Sequence, residues 1–269
     1  MSVSIITTCK DRLHYLMQTL PEFVRQQAAE VIVVDFDCPK GTADVVRSEF
    51  PGVRAIKVDN RPAINLGEAR NVGAANAIGD VLAFVDCDIV LGNDFLNALA
   101  GWSGNTYGEF VGVDDIRGTC VVPRDAFRFV GGYDEVMTGY AAEDLDLYAR
   151  LRLVGLERIV LPNKLIARAL ENTPEERVRY HDIGRKLSFA RGRAYRQLKS
   201  NLLLLSRRPE LDLELRQHIW AKLSEMVTSP DIFKQEHYIE ITLPSSEEEG
   251  MLPGCVFTPS VRLGVRLAK

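Results

Sequence analysis

Val81-Leu82-Ala83-Phe84-Val85-Asp86-Cys87-Asp88, residues 81–88, decides the fold of this chain. Five apolar residues in an unbroken run are too few for a buried helix and fit a strand covered on both faces. The run passes directly into two carboxylates one residue apart. On an extended chain, positions i and i+2 project to the same side. Asp86 and Asp88 therefore lie close together, repel, and left alone would drive one of the pair to take up a proton. A hard divalent cation, Mg²⁺ or Mn²⁺, removes that conflict, because carboxylate and phosphate oxygens suit both ions. The plain alternative is a solvated turn, since Asp-x-Asp is a common tripeptide.

Outward from this strand, apolar β-type runs at 3–8, 30–35 and 53–58 alternate with helical faces at 12–26, 42–50 and 66–78. That order predicts an α/β fold, a mostly parallel sheet with helices on both faces. In such sheets ligands sit beyond the carboxyl ends of the strands. Three ends carry polar residues: Thr8-Cys9-Lys10-Asp11-Arg12, Asp35-Phe36-Asp37, and Asp86-Cys87-Asp88. Further along, 101–118 reads as Gly-rich loops around a short strand near Phe110, followed by a strand at 118–123, a turn at Gly131-Gly132-Tyr133, a helix over 143–154 and a strand at 158–161.

Gly139-Tyr140-Ala141-Ala142-Glu143-Asp144-Leu145-Asp146 opens the helix at 143 with three acids. Acids at a helix N-terminus favour its dipole, which is sufficient structural cause. The chemical alternative is a general base that deprotonates an acceptor hydroxyl. Arg70, in Glu68-Ala69-Arg70-Asn71-Val72-Gly73, reads as a surface arginine or as a contact to a base or phosphate. The small residues Ala69, Gly73 and Ala77 let its helix lie close to the sheet.

After Pro174 the texture changes. Ile183, Leu187, Ala190, Ala194, Leu198, Leu202 and Leu205 step by three or four, one long amphipathic helix. The segment 177–208 is strongly basic, with Asp182 as its acid. It reads as a solvated face, as a surface drawn to an anionic acceptor or to the inner membrane surface, or as a homodimer interface. A second helix follows over 211–227, then a tail from Ser229, with acids at Glu247-Glu248-Glu249, that no pattern assigns.

A net charge of −4 argues against a nucleic-acid binder. Five scattered cysteines, none in a C-x-x-C pair, read as reduced thiols in a cytoplasmic protein, with Cys87 as packing. Trp102 and Trp220 read as core or interface. Met1-Ser2-Val3-Ser4 runs at once into a strand, predicting neither a signal peptide nor a spanning helix.

The strand-ending Asp-x-Asp, the preceding Ala69-Arg70-Asn71-Val72-Gly73, the run Val33-Val34-Asp35-Phe36-Asp37-Cys38-Pro39-Lys40-Gly41-Thr42, and the block from Gly131-Gly132-Tyr133-Asp134-Glu135 to Glu143-Asp144-Leu145-Asp146 together resemble the GT-A fold glycosyltransferases. The nearest groups are the family 2 enzymes and the branch of galactosyltransferases and polypeptide N-acetylgalactosaminyltransferases. The likeness covers residues 3–172. It implies a Rossmann-like GT-A domain over 1–173 and a helical C-terminal extension over 174–269. It implies an inverting enzyme that moves a hexosyl or N-acetylhexosaminyl group from a UDP-sugar to a glycan or glycoconjugate. By position, Thr8, Asp35 or Asp37, Arg70 and Asp86 would bind the donor, and Asp88 would ligate the metal. Tyr140 and Glu143 would bind the acceptor, and Asp144 would be the base. Phe36 separates two aspartates that many family 2 members have adjacent. A histidine that relatives supply to the metal is replaced by Asn172, with His181 as a nearby substitute, so both are weak candidates. A nucleotidyltransferase would carry a Gly-rich basic loop after the first strand, and Thr7-Thr8-Cys9-Lys10-Asp11-Arg12 has no glycine. A non-catalytic nucleotide-sugar-binding protein is the other alternative, weakened by the retained Asp88, Glu143 and Asp144.

Overall fold

Alternating side chains on the first two strands feed two separate cores. On β1 (Val3–Cys9) Ile5 faces one and Ile6 the other, and on β2 (Glu30–Phe36) Val33 and Val34 divide likewise. Helices α1 (Leu13–Arg25) and α2 (Thr42–Glu49) cover the first face with Leu16, Leu20, Phe23 and Val46. Helices α3 (Leu66–Ala75), α4 (Arg124–Phe129) and α5 (Glu143–Leu153) cover the second with Ala69, Phe127, Leu147 and Leu151. The close approach expected of α3 is real: a Cβ on Gly73 would stand 2.4 Å from the Cγ2 of Ile6. The computed structural model describes residues 1–112, 116–173, 175–176, 179–180, 183–206, 208–228, 237–242 and 260–265.

Among those residues β3 (Arg54–Val58), β4 (Val81–Phe84), β6 (Thr106–Glu109), β7 (Cys120–Pro123) and β8 (Glu157–Val160) complete a sheet of order β3-β2-β1-β4-β7-β6-β8. The strands β3, β2, β1 and β4 run parallel, while β7 is antiparallel to both its neighbours. The chain builds outward from β1 through β2 to β3, then returns to place β4 on the other side of β1. That reversal is a topological switch point and opens a crevice beyond the carboxyl ends of β1 and β4.

Two short strands were not legible as such. β5 (Ile89–Leu91) pairs antiparallel with β9 (Ile166–Ala169), and the N–H of Leu170 donates to the carbonyl of Asp88 at 2.8 Å. The strand expected near Phe110 is the 106–109 strand, with Phe110 just beyond it.

The long helix after Pro174 is α6 (Arg185–Ser206), and it is followed by α7 (Leu213–Val227). Tyr195, Leu198, Leu202, Trp220 and Leu223 form a third core with Met137 and Ala141. Ile239 and Ile241 of β10 (His237–Thr242) join it, and β10 pairs antiparallel with β11 (Ser260–Val265). Two of the basic residues assigned to a solvated face of this helix are not on it. Arg191 and Lys199 are buried at 2% and 0% exposure, because Asp134, Asp146 and Glu210 meet Lys199, and Trp220 with backbone and hydroxyl acceptors meets Arg191. Arg177, Asp182, Arg207 and the acids at 247–249 lie outside the described residues, as does Cys255. The other cysteines are free and buried. No helix among the described residues is long and apolar enough to cross a membrane.

Candidate active site

The crevice at the switch point is a cavity of about 630 Å³. Its floor is the ends of β1 and β4: Thr8, Cys9, Lys10 and Arg12 from one, Asp86, Cys87 and Asp88 from the other. Lys10 is buried and ties the strand ends together, donating from Nζ to the carbonyls of Phe36 at 3.2 Å and Asp37 at 3.0 Å. Arg12 donates to Asp88 Oδ2 at 3.2 Å.

Arg70, on α3, is 3% exposed and joins the two carboxylate groups of the cleft. Its guanidinium donates to Asp86 Oδ1 and to Glu143 Oε1, each at 2.8 Å. Burial opposes its charge, but Tyr133, Asp86 and Glu143 outweigh burial and hold its pKa well above the ordinary value. Arg70 thus acts within the site as the fixed counter-charge of two acids. Gly118 makes room for that pair, since a Cβ there would lie 2.5 Å from Asp86 Oδ2 and 3.0 Å from Arg70 Nη2.

The wall opposite the strand ends is the loop Gly139 to Ala142 and the first turn of α5. Ala142 holds φ at 59°, a left-handed conformation costly for a residue with a Cβ. That turn aims Glu143 and Asp144 into the cavity, both buried, while Asp146 turns away to Arg150 and Lys199. Burial, then the neighbouring charge of Glu143, pushes the Asp144 carboxyl up to about 7. Asp88 is also raised, by burial and then by Asp86. A carboxyl poised near neutrality inside a cleft is matched to general base work.

The residues expected to ligate a metal are partly brought together. The β5–β9 ribbon carries Asn172 to Asp88, where the Asn172 amide nitrogen donates to Asp88 Oδ2. The Asn172 Oδ1 is buried with no hydrogen-bond partner. An orphaned carbonyl oxygen beside a carboxylate fits a hard cation. No cluster of three His, Cys, Asp or Glu side chains suited to a metal occurs among the described residues. His181 lies outside the described residues.

Two expected donor contacts are not brought to the cleft. Asp35 is fully buried, and its oxygens accept from the N–H of Cys38 at 2.8 Å and of Ala43 at 2.7 Å, closing a turn and capping α2. Asp37, at φ 52°, accepts from the N–H of Arg61 at 2.9 Å. Phe36, between them, lines the cavity instead. Period-two alternation at the end of β2 carried enough signal to separate Phe36 from its two neighbours. Lys10, Arg12, Gly118 and Glu176 were not singled out as site residues. Arg12 and Lys10 stood in the polar strand end already recognised, whereas Gly118 and Glu176 gave no local pattern.

Residues 4–118 match the family model described as Glycosyl transferase family 2. No curated protein matches the chain in sequence. Among solved structures, the mannosyltransferase PcManGT from Pyrobaculum calidifontis, in complex with GDP-Man and Mn²⁺, superposes with a TM-score of 0.57 at 16% identity, covering 84% of this chain and 70% of that one. S. aureus TarS 1-349 in complex with UDP gives 0.56 at 18% identity, covering 83% and 71%. The same protein with UDP-GlcNAc gives 0.56 at 17%, covering 83% and 79%.

Proposed function

From a chain of GT-A glycosyltransferase fold whose first 118 residues include a family 2 match, we propose a metal-dependent, inverting glycosyltransferase that moves a hexosyl or N-acetylhexosaminyl group from a UDP-sugar to a hydroxyl of a glycan or glycoconjugate. The observation that carries this reading is one cavity holding the strand-end pair Asp86 and Asp88 on one side and the buried Asp144, poised near neutrality, on the other.

The donor's nucleotide lies along Thr8 and the end of β1, its diphosphate toward Asp88. Asp88 and the orphaned Oδ1 of Asn172 are the protein groups that would hold Mn²⁺ or Mg²⁺. When bound, that ion neutralises the diphosphate as a leaving group. Arg70 fixes Asp86 and Glu143 so that neither swings into the reacting space. The acceptor enters between Tyr140 and Asp144. Its hydroxyl oxygen attacks the anomeric carbon while Asp144 takes the hydroxyl proton. The bond from that carbon to the diphosphate oxygen breaks, and the electron pair leaves with the nucleoside diphosphate. Attack from the face opposite the leaving group inverts the anomeric configuration.

Related folds bind more than one nucleotide, so the donor is tested directly. In a thermal-shift screen of UDP, GDP and their sugars, with and without Mn²⁺, UDP and a UDP-sugar should raise the melting temperature, and more so with the metal. A response to GDP alone would overturn the UDP assignment. No response to any nucleotide would overturn the enzyme reading.

A further inference from the structure

One wall of the cleft takes no part in the chemistry above. Arg185, Lys186 and Phe189, from the start of α6, line the same cavity as Tyr140 and Asp144. The Arg185 guanidinium lies 4.7 Å from the centre of the Tyr140 ring and donates to its hydroxyl at 3.2 Å. The Tyr140 and Phe189 ring centres are 6.3 Å apart. Arg185 and Lys186 are both exposed to the cleft opening.

The charge pattern sets Arg185 apart. Arg12 is answered by Asp88, and Arg70 by Asp86 and Glu143. Arg185 meets no carboxylate among the described residues; its contacts are the Tyr140 ring and hydroxyl. A guanidinium held over an aromatic face, with no carboxylate partner among the described residues, is a receptor for an oxyanion.

The wall is also rigidly registered against the base. A Cβ on Gly192 would fall 2.0 Å from the carbonyl oxygen of Ala141, so α6 lies in direct contact with the loop that leads into Glu143 and Asp144. The N–H of Tyr140 donates to Ser188 Oγ at 2.9 Å, and Arg191 donates to the carbonyl of Thr138 at 3.1 Å. The donor's phosphates belong at the opposite side, near the strand ends, where Arg12 stands beside Asp88. A cationic and aromatic surface beside the base therefore faces the acceptor.

We propose that the acceptor is anionic: a sugar or polyol bearing a phosphate ester or a carboxylate, received by Arg185 and Lys186, with its ring against Tyr140 and Phe189. This rests on the glycosyltransferase reading and names the acceptor class of that same site. The shared chemistry is the oxyanion, and its two sources are separated by the probes below.

The test uses the full chain, with UDP and Mg²⁺ in the donor site, and saturation-transfer NMR of three probes: methyl glucoside, methyl glucoside 6-phosphate and methyl glucuronide. At least one charged probe should bind tenfold or more tightly than the neutral one. That preference should shrink as salt rises from about 0.05 to 0.5 M. It should collapse in the double variant Arg185→Gln/Lys186→Gln, while UDP affinity stays within twofold. Which charged probe binds identifies the source of the oxyanion. Equal binding of neutral and charged probes would overturn the proposal, as would a double variant that loses UDP and keeps the probe, since these residues would then serve the donor. If no nucleotide binds while the charge preference and its loss in the double variant persist, the oxyanion subsite stands and the transferase reading falls.

Discussion

Asp144 and Asp146 stand two residues apart on the first turn of α5, and their surroundings could hardly differ more. Around Asp146, the carboxylates Asp134, Asp146 and Glu210 meet Lys199, Arg150 and Arg216 through ion pairs as close as 2.6 Å. Burial alone would raise Asp134, but Lys199 and Arg216 overcome it and hold that carboxyl well below the usual range. Around Asp144, Arg70 pairs with Asp86 and Glu143 and Arg12 with Asp88, while the Asp144 carboxylate accepts from the N–H of Leu145 at 2.8 Å. Burial, and then the charge of Glu143, outweigh Arg70 and push Asp144 up to about 7. Burial acts to raise both Asp134 and Asp144, and the outcomes are opposite because Lys199 and Arg216 contact Asp134 directly, whereas Arg70 is paired with Asp86 and Glu143. The balanced cluster of three carboxylates and three cations locks α5 onto α6 and α7, and the other faces the cleft.

The largest effect should come from Asp144→Asn. Removing the base should cost about 10²- to 10⁴-fold in turnover while leaving UDP affinity intact by thermal shift. Surviving turnover would move the base elsewhere. Relative to the wild type, the same variant should become more stable as pH rises. A folded-state pKa raised above the unfolded value of 3.8 gives stability that is fully present below 3.8 and lost as pH rises through about 7. Asparagine never pays that charge, so at pH 8 Asp144→Asn should melt higher than the wild type, with the gap closing toward pH 4. Wild-type turnover should run the other way, rising through about pH 7 and levelling above it.

The opposite test applies to the balanced cluster. Lys199→Met should leave Asp134 and Asp146 buried with less counter-charge and cost about 3–5 kcal/mol of unfolding free energy in urea. If stability were unchanged, the cluster would not be what fastens the C-terminal helices. Gly192→Ala comes next, at about 1–3 kcal/mol, because its Cβ would meet a carbonyl oxygen that cannot swing aside. It should also raise the acceptor KM more than the donor KM, because Ala141 carries the acceptor wall.

This contrast marks where the sequence could be read. The alternation of strand and helix patterns over the first 85 residues was enough for the parallel sheet, and a carboxylate pair at a strand end was enough to locate the cleft. Both signals are local. From the residues alone the acids of α5 form one group, because no local pattern distinguishes Asp144 from Asp146, and it is the family resemblance that singles out Asp144. Their difference depends on Lys199, more than fifty residues away. Asp35 misled for a similar reason: a strand-end aspartate looks the same whether it faces a ligand or caps α2. The basic run in α6 looked like a surface because charge alone does not say which arginines and lysines are buried against distant acids.

The smallest effect tests the metal edge of the cleft's acidic cluster. The Asn172 side chain gives its amide N–H to Asp88 and leaves its carbonyl oxygen buried and unmatched. Asn172→Asp replaces the donor with a second anion beside Asp88, whose carboxyl burial already raises. Without metal the variant should lose about 1 kcal/mol through lost hydrogen bonding and repulsion. With Mn²⁺ and UDP present that loss should reverse, because a carboxylate binds a hard cation better than an amide oxygen. The expected readout is a lower melting temperature in chelator and a larger metal-dependent rise than the wild type shows. An equal rise in both proteins would mean that position 172 does not touch the ion, and that Asp88 and the diphosphate hold it without help from the β5–β9 ribbon.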